Sequence, residues 1–226
     1  MPELLHITLK DFFDPVFYIN NGGIWIVLFI IFAETGLMIG FFLPGDSLLF
    51  VSGIYSKMLV DSFVHGSVGS DFLEIILLFV LISVAGILGN EVGYWFGWKS
   101  GPVLYKRKDT FLFKKKHLYR AEKFYDKHGG IAIVFARFLP MIRTFAPVIA
   151  GIVKMDKKNF LRYNIIGCTA WVFTVLMAGH YLQKLSLKSF GFDLRKHLFV
   201  IIIFIVLITT IPVIYKFILK RNTRNK

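Results

Sequence analysis

The sequence predicts an all-α integral membrane protein, a multi-helix bundle in which two broken, re-entrant hairpins face each other in an inverted-repeat-like arrangement. Three observations carry this. The 226 residues are 56% apolar and only 18% charged, greasier than soluble domains, which sit near 45–50% apolar and about 25% charged. The apolar residues come in long runs, two of them interrupted by proline and by charge. Most of the positive charge, part of a formal net +13, lies in segments flanking those runs, where it orients a chain in the bilayer and meets anionic lipid. Intrinsic disorder, a nucleic-acid module and a disulfide scaffold are excluded; the single Cys168 has no intrachain partner.

Taken in order, residues 1–21 set Phe12, Phe13, Val16 and Phe17 among polar residues, which suits an N-terminal interfacial segment. They lack a basic stretch followed by an apolar one, so no cleaved signal peptide is expected. A transmembrane core is expected over 22–182. A spanning helix needs about 20 apolar residues, and the candidate runs are 22–43, 72–98, 130–153, 160–182 and 198–219, with 47–60 too short alone. Residues 183–226 then form a C-terminal transmembrane helix and a basic cytoplasmic tail.

The first broken run reads AETGLMIGFFLPGDSLLF, with Glu34, Gly36 and Asp46 around the Pro44-Gly45 break. The second reads GGIAIVFARFLPMIRTFAPVIAG, with Arg137 and Arg143 flanking Pro140, then Thr144 and Pro147. Proline inside a helix costs roughly 3 kcal/mol, and non-helical backbone at membrane depth survives only where protein or a wet cavity covers it. Interrupted segments in corresponding positions of two halves point to a transport site at a repeat interface. Re-entrant hairpins are therefore expected near 34–60 and 130–153.

Loop charge tests this topology. Residues 99–127 carry ten Lys/Arg against three acids, 153–162 carry a net +3, and 216–226 a net +5; residues 61–71 carry a net −2. If 130–153 dips in and returns, all three basic segments share the cytoplasmic side, as the positive-inside bias favours. The fit is imperfect, because 183–197, also net +3, then faces out. A multi-pass protein of the cytoplasmic (inner) membrane with a cytoplasmic C-terminus is expected; the side of the N-terminus stays open.

Charges at the centre of a spanning helix cost about 2.5–3.5 kcal/mol each on insertion scales, so Glu34, Asp46, Arg137 and Arg143 need partners or water. Facing hairpins would let two acids and two bases neutralise each other. Plainer readings stay open: Asp46 as an N-cap of the helix from 47, Glu34 solvated at the interface, Arg143 snorkelling. The functional reading is that the guanidiniums bind a phosphate head group through their planar forks, while the carboxylates couple to protons or ions. Burial favours the protonated acid and a neighbouring arginine favours the carboxylate, so a proton can move as a phosphate competes for the arginines.

GNEVGYWFGWKSG sets Gly89, Gly93, Gly97 and Gly101 on one helix stripe, the spacing that lets transmembrane helices pack closely. Asn90 and Tyr94 on that segment are expected at the cavity. Whether Glu91 and His128 take part is open, and His180 has no evident partner. No zinc box, nucleophile elbow, phosphate loop or dinucleotide fingerprint is present, so no enzyme, cofactor or metal is expected. Ser47, Thr144 and His128 are the available groups for a lipid phosphatase, in no recognisable catalytic box.

The ordered set ETG…FFLPGDSLLF, GNEVGYWFG and FYDKHGGIAIVFARFLPMIRTFAPVIAG resembles the DedA family of membrane proteins, related to the eukaryotic VTT-domain proteins, over residues 34 to about 182. The resemblance implies two facing re-entrant hairpins, functional acids at Glu34 and Asp46, and essential arginines at Arg137 and Arg143, with no departure at those four. It implies lipid translocation, including recycling of undecaprenyl phosphate or flipping of phosphatidylethanolamine, and links to proton-motive force, alkaline tolerance and resistance to cationic antimicrobials. The expected function is a flippase for an anionic lipid carrier or phospholipid, coupled to protons or monovalent cations. The alternative is a proton-coupled small-ion antiporter or osmoregulator. Membrane lipids and protons or cations are the expected partners, nucleic acid is not, and a homo-oligomer is allowed.

Overall fold

A computed structural model describes residues 15–37, 45–106, 119, 122–123, 125, 127–190 and 194. Most of the segment 1–21, Pro44 with the tip of the first broken run, most of the 99–127 basic loop, the run 198–219 and the basic tail lie outside these residues. The described elements are helical: α1 (Pro15–Gly36), α2 (Gly45–Ile54), α3 (Ser56–Val64), α4 (Asp71–Lys106), α5 (Ile131–Ala136), α6 (Pro140–Ile152) and α7 (Lys157–Phe190). No strand occurs among them.

Among the described residues three helices are long and apolar enough to cross a membrane: Val16–Gly36, Asp71–Tyr105 and Lys157–Ser189. α2 and α3 would add a fourth span if taken as one, but they meet at an 81° bend. That bend, at Tyr55, falls inside the run 47–60 and has no proline to announce it. The run 130–153 holds no single spanning helix: α5 has 6 residues and α6 has 13, both short of the roughly 20 required. α1 is itself kinked at Gly23, whose φ of 54° lies in the left-handed region that glycine adopts without penalty. From Ile24 to Gly36 only roughly 20 Å of helix remains, at about 1.5 Å per residue.

Local sequence explains the ends. α6 closes in a Schellman turn, with Met155 N–H bonded to Ala150 O and Lys154 N–H to Gly151 O, each at 3.0 Å, and Lys154 at φ 55°. Asp156 Oδ1 then accepts from Asn159 N–H at 2.9 Å, an N-cap for α7. The outer faces carry exposed Phe29, Val80, Phe96 and Phe173, the side chains a lipid solvent would meet.

Small residues set how the helices approach. A side chain at Gly89 would overlap Thr35 and the Phe32 carbonyl, one at Gly97 the Val148 carbonyl, and one at Gly101 the Ile152 carbonyl, so the glycine stripe is a packing seam. Ile31 lies at Gly86 and Gly36 at Gly89 and Gly93, so α1 runs parallel to the first part of α4. α6 runs parallel to its later part, with Pro147 and Val148 at Gly93 and Ile152 at Gly101. α7 runs antiparallel: Phe173 meets Phe79, centroids 6.0 Å apart, and Phe160 stacks on Tyr94 at 4.4 Å. α3 returns to the level of the α1 kink, with Phe63 at 5.6 Å from Trp25. The end of α1 and the start of α6 therefore reach the same level, midway along α4. A second unit begins at Tyr181, and of it residues 181–190 and 194 are described; there Leu194 N–H donates to Gln183 Oε1 at 3.1 Å.

Candidate functional site

Interior charge gathers where the last turn of α1, the first turn of α2 and the first turn of α6 come together. α6 starts sharply: Leu139 is extended at φ −111°, ψ 105°, and Pro140 occupies the first turn, where its missing N–H does no harm. Arg143 follows, its N–H bonded to Leu139 O at 3.0 Å. Its Nη2 donates to Glu34 Oε1 and its Nη1 to Asp46 Oδ1. From α7, Trp171 Nε1 donates to the same Asp46 Oδ1 at 3.2 Å, and the Arg143 guanidinium stands over the Trp171 ring, 4.8 Å from its centroid. Such a cation–ring contact gains strength away from water.

This geometry removes the plainer readings. Glu34 is 4% exposed and Arg143 7%, so the first is not solvated at an interface and the second does not snorkel. α2 begins at Gly45, so Asp46 lies inside the first turn rather than at the N-cap. A carboxylate there favours the helix dipole while it holds Arg143. Its side chain is 25% exposed, the most open of the three ionic groups.

Arg137 stands elsewhere, and here the expectation of four mutually neutralising charges is corrected. It sits at the turn after α5, 5% exposed, and its Nη2 donates to Asn164 Oδ1 on α7. Asn164 Oδ1 also accepts from Asn90 Nδ2 at 2.9 Å; Asn90 Nδ2 reaches Gly86 O at 2.8 Å, and Asn164 Nδ2 reaches Ile87 O at 3.3 Å. Among the described residues no carboxylate lies within ion-pair distance of Arg137. The physical reason is position: its turn faces α7 across Gly167, where a β-carbon would come within 3.3 Å of Arg137 Cδ.

Two buried atoms of the ionic cluster, Glu34 Oε2 and Arg143 Nε, have no hydrogen-bond partner among the described residues. Buried polar atoms are nearly always paired, so this cluster has capacity for water, a proton or a ligand. Glu34 Oε2 lies against Gly45, where any side chain would collide with it.

The supporting residues divide. Gly36 packs on the Gly89 backbone, and Asn90, Thr144 and Pro147 are buried beside the site. Tyr94 does not reach the ionic cluster: its hydroxyl donates to Met155 O at 2.6 Å and its ring stacks on Phe160, which makes it a buttress. Glu91 stands beside Asn164 and Lys157, with Oε1 buried and unpaired among the described residues. His128 is exposed at a helix end before Gly129, whose φ is 58°. His180, for which the sequence offered no partner, has Nδ1 at 3.1 Å from Ser56 Oγ. Asn164 and Trp171 were missed. Asn164 is an amide inside the apolar run 160–182, the same signal that marks Asn90; Trp171 gave none.

A model of the VTT domain matches residues 43–181, which include Asp46, both arginines, Asn164 and Trp171. Protein DedA of Escherichia coli K12 is 34% identical over 193 residues, 84% of this chain and 81% of the relative. An uncharacterized membrane protein of Mycobacterium tuberculosis H37Rv is 32% identical over 211 residues, covering 91% and 86%. Inner membrane protein YqjA of Escherichia coli K12 is 33% identical over 165 residues, covering 72% and 69%. No solved structure matches. With its glycine-packed helices and buried Glu34–Arg143–Asp46 cluster, the chain belongs to the DedA family of VTT-domain membrane proteins.

Proposed function

We propose that the protein is a multi-pass transporter of the inner membrane that moves a phosphate-bearing lipid, either an anionic carrier such as undecaprenyl phosphate or a phospholipid such as phosphatidylethanolamine, coupled to protons or cations. On this reading the segments 34–60 and 130–153 are re-entrant hairpins that enter from opposite faces as an inverted repeat, with the C-terminus cytoplasmic. The single observation that carries it is Arg143 bridging Glu34 and Asp46 from the other broken segment, with polar capacity left over on both Glu34 and Arg143. A phosphate that enters competes with the carboxylates for the guanidinium. A carboxylate that loses its cation in a dry site takes up a proton, so binding and protonation are linked. The helices flanking the site expose apolar faces on which acyl chains stay in lipid while the head group crosses.

In proteoliposomes, Arg143→Ala and Arg137→Ala should each abolish head-group translocation while the protein still inserts. Undiminished transport by either variant contradicts the proposal.

A second reading, a proton-coupled antiporter of small cations, draws on one observation: the ionic cluster holds two carboxylates for one guanidinium. Arg137 argues against it, since a buried fixed cation repels such cargo. Cation-dependent proton flux in vesicles of phosphatidylcholine alone would favour this reading.

A further inference from the structure

We propose that Asn164 sets the charge selectivity of the transport site. It holds Arg137 through a neutral amide, so the guanidinium keeps its whole positive charge for the phosphate of an anionic head group. The inference rests on the lipid-phosphate reading above and deepens it.

The two arginines differ in what holds them. Arg143 is saturated electrically by Glu34 and Asp46. Arg137, equally buried, is held by Asn164 Oδ1, with the Cys168 thiol beside it, and neither group cancels charge. The stretch 38–44, MIGFFLP, contributes no acid by sequence, and Glu91 stands beside Asn164 rather than Arg137. An uncompensated buried cation is costly; aspartate at position 164 would cancel the charge of Arg137 at nearly the same shape, at the cost of the donation to Ile87 O and of a second carboxylate beside Glu91. Asparagine orients the fork instead. It is itself fixed by Asn90 Nδ2 at 2.9 Å and by its own donation to Ile87 O at 3.3 Å. Guanidinium offers five donors in a planar fork, so one bond to Asn164 leaves donors for phosphate oxygens. The buried Ser83 hydroxyl on the same α4–α7 seam has no partner among the described residues. Asn164 is on this view a positioning residue that determines specificity: the amide admits an anion, and a carboxylate in its place would repel one.

The test is titration of the full chain in phosphatidylcholine nanodiscs with dodecyl phosphate, empty discs subtracted, for wild type, Asn164→Asp and Asn164→Ala. Wild type should bind. Asn164→Asp should weaken binding by about tenfold or more, the value of a charge-assisted hydrogen bond, and Asn164→Ala by only a few-fold. Equal losses in the two variants, or unchanged binding in Asn164→Asp, overturn the inference while the transport reading stands. If wild type binds no dodecyl phosphate, the transport reading fails with it. Should Asn164→Asp not fold, Asn164→Ala carries the test: a few-fold loss of binding supports the inference, and wild-type affinity overturns it.

Discussion

Arg137 and Arg143 sit at the two ends of one short turn, both buried, yet in opposite electrical settings. Arg143 lies between two carboxylates and over an indole ring; Arg137 lies on an amide network. The difference teaches that the four interior charges form two sites. One is an ionic clamp that ties the broken segments together and has room for a proton. The other is a cation held on a neutral amide network.

The largest expected effect breaks this contrast if it is wrong. Arg143→Ala strands the buried Glu34 carboxylate and the half-buried Asp46 and should destabilise the protein by about 3–5 kcal/mol. Arg137→Ala strands only neutral acceptors and should cost about 1–3 kcal/mol. Thermal unfolding in detergent orders the two; a reversed order would show that Arg137 carries the structural ion pair.

A second test loosens the Arg143 helix alone. Tyr125 donates to Ala146 O on α6 at 3.1 Å, and burial pushes its phenol up from 10.0 to about 12. The neutral phenol is the stabilising form, so its contribution is whole below pH 10 and is lost as pH rises toward 12, a change of about 3 kcal/mol. Tyr125→Phe should flatten the stability profile between those values; an unchanged slope would deny the anchor.

Glycine substitutions sharpen the comparison next. Gly97→Val drives a side chain into the Val148 carbonyl of the Arg143 helix, whereas Gly167→Val presses on Val134 and Arg137. Overpacking costs about 1–3 kcal/mol. Gly97→Val should impair proton coupling, and Gly167→Val dodecyl phosphate affinity; identical phenotypes would merge the two sites into one. The smallest effect is Trp171→Phe, which keeps a ring under Arg143 and removes the bond to Asp46, costing about 1 kcal/mol by chemical denaturation.

Three of the four charges were legible in the sequence as partners because a carboxylate or guanidinium inside an apolar run demands one. The glycine stripe was legible because its spacing fixes one helix face. The partner of Arg137 was not: Asn164 lies 27 positions away and carries no charge to match. The Tyr55 bend was hidden as well, since neither proline nor a charge marks it. Tyr94 misled, because a tyrosine inside a span looks like a cavity residue until its ring is seen stacked on Phe160 and its hydroxyl on Met155. Long-range pairing decided each of these, and composition and spacing do not encode it.

The most direct test of the two-site arrangement is a pair of double-mutant cycles on unfolding free energy, Glu34→Gln with Arg143→Gln and Glu34→Gln with Arg137→Gln. A coupling of about 2 kcal/mol or more is expected in the first cycle and under about 0.5 kcal/mol in the second. Equal couplings, or none between Glu34 and Arg143, would contradict it.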